Sequence, residues 1–258
     1  MKNLLYILFM IVFVSAKIYS QELNDKAQQS NNLEKIRKSI SEKNANWKAE
    51  ENWITRLTSV EQNKLFGNVI DLSNINSPTL INLPKVKDLP IKFDWRNNNG
   101  NWISPVKNQG LCGSCWAFSA VAQIEAWWKI YKNSPDSVID LSEQFLLSCS
   151  NAGSCNGGSI TDALEFIKDV GIPQENCFPY SANDLISCSN VCINWKNEVV
   201  KIPGWNWITN GEALIDNIKN AVFIHPVSAF LEVYTDLKYY SSGIYQHVLG
   251  EYETGHWI

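Results

Sequence analysis

The residues from Gln109 to Phe118 bring together a thiol, a side-chain amide and a predicted helix start. Residues 114–131 contain neither Gly nor Pro, and their alanines and periodic apolar residues predict a helix that places Cys115 in its first turn. The free N–H groups and the macrodipole of a helix start favour a thiolate, so we expect a pKa below the ordinary value of roughly 8.5. A thiolate attacks carbonyl carbon. The amide of Gln109, six residues earlier, would supply part of an oxyanion hole.

Cys115 also has two plainer interpretations. It could be a small buried side chain or half of a disulfide, and Cys112-x-x-Cys115 could be half of a metal site, although no second pair or nearby His completes it. The number of cysteines favours the nucleophile, because one of seven must stay unpaired within the chain under oxidising conditions. We expect Cys115 to be the unpaired one. The others are Cys112, Cys149, Cys155, Cys177, Cys188 and Cys192.

The N-terminus resembles a secretory signal peptide over residues 1–16. Lys2 precedes an apolar run over residues 4–14, which is short for a membrane span, and Ser15 and Ala16 supply the small residues of a cleavage site. A retained membrane anchor is the alternative. Export would permit disulfides, and it predicts the secretory pathway with an extracellular or a lysosome- or vacuole-like destination and no membrane span after signal removal.

Composition bounds the class of protein. Hydrophobic residues make up 45% of the chain and charged residues 19%, which suits a globular protein with a buried core. The formal net charge is −4 and no basic cluster occurs, so nucleic acid and anionic membranes are not expected partners. We expect a monomer with no cofactor and no metal.

Residues 17–88 form a polar segment that needs a surface to fold against. Thr58 and Glu61 are spaced as a capping box for a short helix that Gly67 would close, and the stretch to Asp88 is expected to be extended. A disordered linker is the alternative. The apolar residues expected on one helical face are Leu33, Ile36 and Ile40.

From Leu89 onward the pattern predicts an α+β domain. Helices are expected from Cys115, near Leu141–Phe145, and from a Ser159 cap to Gly171. Beyond Lys201, strands are expected at Val227–Val233 and Gly243–Val248, with a helix around Glu212–Asn220 between them. Two halves built so differently suggest a cleft between them.

A cysteine nucleophile needs a base, and the chain has three histidines. His225 precedes Pro226 and is expected to be structural. His247 has nothing distinctive around it in the sequence. His256 follows Thr254-Gly255 and lies 141 residues after Cys115.

The chain resembles the papain family of cysteine proteases, in its cathepsin group. Its thiol signature and its Cys–His separation are those of papain-type enzymes, so they identify a family rather than derive a role. The matching stretches cover most of residues 93–256. They are Phe93-Asp94-Trp95-Arg96, Val106-Lys107-Asn108-Gln109-Gly110, Cys112-Gly113-Ser114-Cys115-Trp116, Leu141-Ser142-Glu143-Gln144, Cys155-Asn156-Gly157-Gly158, Phe178-Pro179-Tyr180, Pro226-Val227-Ser228, Gly243-Ile244-Tyr245 and Gly255-His256.

The resemblance implies a papain-like fold with a helical left half, a β-barrel-like right half and the active site between them. It makes Cys115 the nucleophile and His256 the general base and acid, with Gln109 and the backbone N–H of Cys115 binding the oxyanion. The backbone of Gly157 and Gly158 would pair with an extended protein or peptide substrate. The subsite for the second residue from the scissile bond would be apolar, lined by Ile160, Phe230, Thr254 and Gly255.

The resemblance also implies the covalent organisation. It pairs Cys112 with Cys155 and Cys149 with Cys188, and it suggests Cys177 with Cys192, as in the cathepsin C branch. Residues 17–88 resemble the short inhibitory prosegment of the cathepsin B branch, and residues 89–258 would be the peptidase domain. The protein's own prosegment is therefore an expected partner.

The sequence departs from the family in one respect. The family's Asn-Ser-Trp-Gly motif, whose Asn orients the catalytic His, is missing, since the chain stops two residues after His256. We expect a partial sequence of an active endopeptidase, in which the 258-residue chain alone has little activity. Two alternatives are a catalytically silent papain-fold binding protein and a prosegment-type protease inhibitor. The intact Cys115, Gln109 and His256 favour the enzyme.

Overall fold

The computed structural model describes residues 28–66, 83–209 and 214–258, which form two compact units. The smaller unit joins the described residues up to Thr58 with Val233–Glu253, and the larger unit joins Ser59–Glu232 with Thr254–Ile258. The predicted signal peptide and the predicted stop at Gly67 lie outside the described residues. Within the described ranges, no helix has the length and apolarity needed to cross a membrane.

The mixture of helices and short strands confirms the α+β prediction. In chain order the helices and strands are α1 (28–42), β1 (Trp47–Ala49), α2 (Ser59–Phe66), α3 (Cys115–Tyr131), α4 (Glu143–Cys149), β2 (Gly153–Ser154), β3 (Gly157–Gly158), α5 (Ile160–Asp169), α6 (Ile215–Ile224), β4 (Phe230–Tyr234), β5 (Tyr240–Gly243) and β6 (Tyr252–Trp257). The described strands pair as β1 with β5, β2 with β3, and β4 with β6.

The smaller unit packs the apolar face of α1 against β1 and the chain around β5. Leu33 and Ile36 are buried as predicted, and they join Trp47, Tyr239 and Val248 in one apolar cluster. The antiparallel β1–β5 pair aligns Trp47 with Gly243. Gly243 has φ +100°, and a Cβ there would lie 2.4 Å from the Asn46 carbonyl oxygen, so only glycine fits this close approach.

Two predicted strands are displaced and one helix is longer than expected. Residues 244–248 are not a strand, because β5 ends at Gly243, where the positive φ breaks the extended run. The strand predicted at Val227–Val233 is found at Phe230–Tyr234. The described part of the helix predicted around Glu212–Asn220 runs over Ile215–Ile224.

The larger unit is built around α3, which begins and ends where the sequence predicts. Its buried face packs with the apolar sides of α4 and α5 in a single core. Side-chain caps fix both neighbours: Ser142 Oγ accepts the Phe145 N–H at 3.0 Å, and Ser159 Oγ accepts the Asp162 N–H at 3.2 Å. The predicted helix starts at Ser142 and Ser159 are confirmed.

Three disulfides cross-link the larger unit as the resemblance implies: Cys112–Cys155, Cys149–Cys188 and Cys177–Cys192. Cys115 is free and buried. The cross-links close loops around the start of α3 and the chain after α4, and each such cross-link typically contributes about 2–4 kcal/mol to stability.

Candidate active site

Cys115 is the first residue of α3, and the chain before it is held from two sides. The Cys112–Cys155 disulfide anchors the preceding turn, and the Gly113 N–H donates to the Cys155 carbonyl at 2.8 Å. Ser114 Oγ lies 2.7 Å from the Tyr180 hydroxyl, which donates to the Gln109 carbonyl at 2.8 Å. One tyrosine thus ties the residue before the thiol to the residue that carries the oxyanion amide.

The side-chain amide of Gln109 donates hydrogen bonds to two carbonyl oxygens. Its Nε2 donates to the Cys112 carbonyl at 2.8 Å and to the Leu65 carbonyl, near the end of α2, at 2.6 Å. The first bond orients the amide toward the loop that carries Cys115. The bond to Leu65 shows that the second N–H of the amide can donate to a carbonyl oxygen of a different segment of the chain.

His256 lies on β6. The backbone N–H of the next residue, Trp257, lies close enough to the Cys115 thiol to act on its pKa. The Phe66 ring meets the imidazole edge-on at 5.8 Å between centroids. His256 Nδ1 is buried and has no hydrogen-bond partner among the described residues. The structure therefore places the Cys115 thiol close to the backbone of β6, one residue after His256.

The predicted low pKa of Cys115 is wrong for this state of the protein. Burial raises the pKa of the thiol, and the backbone N–H groups of Trp257, Trp116 and Cys115 offset this only in part. Burial also lowers the pKa of His256. Both shifts favour the neutral forms, which are the thiol and the imidazole.

The structure describes the surroundings of all six residues predicted to bind substrate. Gly158 lies against the buried Trp116 indole, where a Cβ would come within 2.5 Å of the ring. A Cβ on Gly255 would come within 1.8 Å of the Phe230 ring, so Gly255 and Phe230 lie directly against each other. Ile160 is buried in the core against which Phe230 packs, and Thr254 is also buried. Gly157 pairs with Ser154 in the β2–β3 hairpin.

Sequence reasoning missed a buried ionic cluster beneath the active-site loop. Lys107 Nζ lies 3.1 Å from Glu125, 2.9 Å from Glu143 and 2.6 Å from Asp140. Burial raises the pKa of Glu143 to about 7 despite Lys107. Lys107 stands two residues before Gln109, so the cluster fixes the base of that loop. Glu125 lies 15 positions before Asp140 and 18 before Glu143. Lys107 and Glu143 fall within stretches that carry the family resemblance, but nothing in those stretches indicates that the two side chains meet.

His247, around which the sequence shows nothing distinctive, makes specific side-chain contacts in the fold. Its Nδ1 lies 3.1 Å from the carboxylate of Asp236, and its ring stacks on Tyr234 with 3.9 Å between centroids. Asp236 is fully buried. No motif surrounds these residues, and only a local i, i+11 spacing links the two.

No group of three or more His, Cys, Asp or Glu side chains within residues 28–66, 83–209 and 214–258 is arranged to hold a metal ion.

Comparison with known proteins places residues 89–258 in a single family, described as papain family cysteine protease. The chain is 39% identical over 166 residues to the oryzain beta chain of Oryza sativa subsp. japonica, covering 62% of this chain and 33% of the relative. It is 33% identical over 162 residues to a cathepsin L-like proteinase of Fasciola hepatica, covering 61% and 46%. The chain thus spans less than half of either relative.

Solved structures of enzyme precursors resemble the fold over most of its length. Digestive procathepsin L2 from Tenebrio molitor larval midgut has a TM-score of 0.69 at 25% identity, covering 90% of this chain and 75% of the other. A procathepsin B from Trypanosoma congolense has a TM-score of 0.68 at 26% identity, covering 86% and 79%.

Proposed function

The chain belongs to the papain family of cysteine proteases, and on that premise we propose that the whole protein is a cysteine endopeptidase that hydrolyses protein or peptide substrates. The observation that carries the proposal is the free, buried Cys115 at the start of α3, next to the backbone of β6 and His256. A binding protein or an inhibitor would not need this arrangement, and the Fasciola hepatica relative is named a cathepsin L-like proteinase.

The first half of the reaction forms an acyl-enzyme. His256 Nδ1 accepts the proton of Cys115 as Sγ bonds to the substrate carbonyl carbon, and the carbonyl oxygen becomes an oxyanion. Gln109 Nε2 and the Cys115 N–H donate to that oxygen, a role that typically contributes about 3 kcal/mol per donor. The C–N bond then breaks, and His256 returns the proton to the departing amine. A thioester remains on Cys115.

The second half consumes water. His256 accepts a proton from a water molecule as its oxygen attacks the thioester carbonyl, and the same two donors stabilise the second oxyanion. Breaking the C–S bond releases the carboxylic acid, and the proton returns to Cys115. The enzyme is regenerated with no external oxidant, reductant or cofactor.

The substrate preference follows from the walls of the cleft. The residues assigned to the second subsite carry no charge, which favours an apolar side chain in the substrate. Residues 159–192 contain no histidine-bearing insertion of the kind that blocks one end of the cathepsin B cleft. We therefore expect internal cleavage, and release of terminal dipeptides alone from a long blocked peptide would contradict it.

Residues 17–88 act in this proposal as a prosegment that keeps the enzyme silent. The Leu65 carbonyl takes the Gln109 N–H that an oxyanion would need, and Phe66 covers the His256 ring. Both residues belong to α2. Residues 1–16 would direct the chain to the secretory pathway, with an extracellular or lysosome-like destination.

Thiol labelling tests the nucleophile. We expect an epoxide or iodoacetamide probe to modify Cys115 alone and to block peptide hydrolysis in the same proportion, while Cys115→Ala abolishes both. Peptide mapping identifies the modified residue. First modification of another cysteine, or hydrolysis that survives Cys115→Ala, would refute the assignment.

Labelling also tests the covering role of α2. Phe66→Ala should expose the imidazole and the thiol and so raise the rate of Cys115 alkylation. Val60→Ala, on the exposed side of the same helix, is the matched control and should leave the rate unchanged. Equal rates of Cys115 alkylation in the two variants would contradict the covering role of α2.

A further inference from the structure

Asp236 is a fully buried carboxylate of the smaller unit that accepts four hydrogen bonds, all from residues 245–249 within the described part of the chain. Oδ1 accepts from the Tyr245 hydroxyl at 2.7 Å and from His247 Nδ1 at 3.1 Å. Oδ2 accepts from the backbone N–H groups of Val248 at 2.7 Å and Leu249 at 3.1 Å. These residues are not a strand, so the carboxylate takes the place of a ladder in fixing their path.

The N-terminal segment, by which we mean residues 28–49 with α1 and β1, packs on residues 245–249, whose path Asp236 fixes. The Trp47 indole meets the Tyr245 ring edge-on at 5.2 Å. Val248 lies in the same apolar cluster as Leu33 and Ile36 of α1. The Val248 carbonyl accepts a hydrogen bond from Lys43 Nζ at 2.8 Å. Both the apolar and the polar contacts therefore depend on where residues 245–248 lie.

A carboxylate is the group that this arrangement requires. All four partners donate, and only two oxygens with free lone pairs can accept from all of them. Burial, and then the hydrogen bond to Asp236, raises the pKa of the Tyr245 hydroxyl, which therefore stays protonated and remains a donor. An asparagine would turn an NH₂ group toward two of these donors and leave buried groups unpaired.

We infer that Asp236 is a positioning residue that shapes residues 245–249 into the surface on which the N-terminal segment docks. The hydrogen bonds of its carboxylate hold Tyr245 and Val248 where Trp47 and α1 meet them. The inference concerns how the segment is held. It rests on the proposed function only for the claim that holding the segment silences the enzyme.

Hydrogen exchange in the intact chain tests the inference. In Asp236→Asn we expect the amides of α1 and β1 to exchange at least roughly tenfold faster, because a charge-assisted hydrogen bond is lost and buried donors are left unpaired. The amides of α3 should exchange as in the wild type. Glu251→Gln, an exposed carboxylate of the same unit, is the matched control and should change neither.

A double-mutant cycle separates positioning from general destabilisation. If Asp236 acts by placing Tyr245, then Trp47→Ala should accelerate exchange of α1 much less in Asp236→Asn than in the wild type. Additive effects, or unchanged exchange of α1 and β1 in Asp236→Asn, would overturn the inference. If α3 also loses protection, the variant has unfolded beyond the loop, and the positioning role is refuted as well.

The alkylation rate of Cys115, measured on the same samples, addresses the proposed function separately. Faster exchange of α1 and β1 with faster alkylation supports both proposals. Faster exchange with unchanged alkylation supports the role of Asp236 and contradicts silencing by the held segment.

Discussion

Two buried polar groups, one in each compact unit, differ in how fully they are hydrogen-bonded. In the smaller unit, the buried carboxylate of Asp236 accepts four hydrogen bonds. In the larger unit, His256 Nδ1 is buried and finds no partner within the described residues. Buried polar atoms without partners are rare, because each costs about 1–3 kcal/mol. The carboxylate of Asp236 is therefore fully paired, whereas the imidazole nitrogen that we assign to proton transfer has no competing partner among the described residues.

The units also differ in how far along the chain their contacts reach. Gln109, Cys112 and Cys115 lie within seven residues, and a disulfide and a helix start fix their geometry. The smaller unit joins segments such as Lys43 and Val248, which are 205 positions apart. Closing such a loop costs conformational entropy that only packing repays. We therefore expect the smaller unit to open first.

The largest effect that we expect is a loss of stability confined to the smaller unit. Trp47→Ala removes a buried indole from the core of the smaller unit and should destabilise that unit by about 3–5 kcal/mol. Hydrogen exchange of α1 and β1 reports it. Trp53→Ala is the control, because Trp53 is 52% exposed and should matter little. Equal loss of protection in α3 would show that the two units do not open separately, and the comparison would fail.

Substituting two glutamines of the larger unit, one at a time, should distinguish a catalytic role from a packing role. Gln109→Ala should lower kcat by on the order of 10²–10³, because a donor to the oxyanion is lost. Gln144 is fully buried and bonds to Ser148 and to the Asn183 carbonyl. Gln144→Ala should instead lower the midpoint of thermal unfolding with little effect on kcat in the folded fraction. Reversed results would contradict the assignment of Gln109.

The ionic cluster around Lys107 predicts a pH dependence of stability. Glu143 has a pKa of about 7 in the folded protein against an ordinary value of 4.5, because burial disfavours its charge. The folded state therefore keeps a proton that the unfolded state has lost between these values. Raising the pH from 4.5 to 7 should lower the free energy of unfolding by up to about 3 kcal/mol through this group.

Urea unfolding at several pH values, with disulfides intact, checks this dependence. Glu143→Gln mimics the protonated side chain and should flatten the decline over that window. Glu198→Gln, an exposed residue, should leave it as in the wild type. A decline that persists unchanged in Glu143→Gln would assign it to other groups.

The smallest effect concerns the predicted apolar subsite. Gly255→Ala forces a methyl group into the Phe230 ring, and such overpacking typically costs about 1–3 kcal/mol. A Cβ on Gly204 would meet nothing within 4 Å, so Gly204→Ala is the control. If the subsite is where we place it, KM for substrates with large apolar side chains should rise in Gly255→Ala only.

The sequence predicted the parts of the active site that local chemistry specifies. The start of α3, the serine caps of α4 and α5, and the free Cys115 follow from short-range signals and from the odd number of cysteines. The three disulfide pairs needed the family resemblance, since six cysteines permit 15 pairings. The extents of the signal peptide and of the prosegment stay predictions.

The sequence did not predict what depends on distant neighbours. The pKa of Cys115 shifts upward because burial outweighs the helix-start effect, and burial is a property of the folded chain. The end of β5 at Gly243 and the role of Asp236 depend on contacts with the N-terminal segment. Hydrophobic alternation alone could not reveal that a carboxylate, rather than a strand ladder, fixes residues 245–249.

The burial of Cys115 also has a redox consequence. Three disulfides form in this chain while a seventh thiol stays free, and thiol–disulfide exchange and oxidation to sulfenic acid both proceed through the thiolate. A raised pKa leaves little thiolate, and burial denies access to oxidants and to other cysteines. On the proposed function, the cover over the site would keep the expected nucleophile reduced under the oxidising conditions that disulfide formation requires.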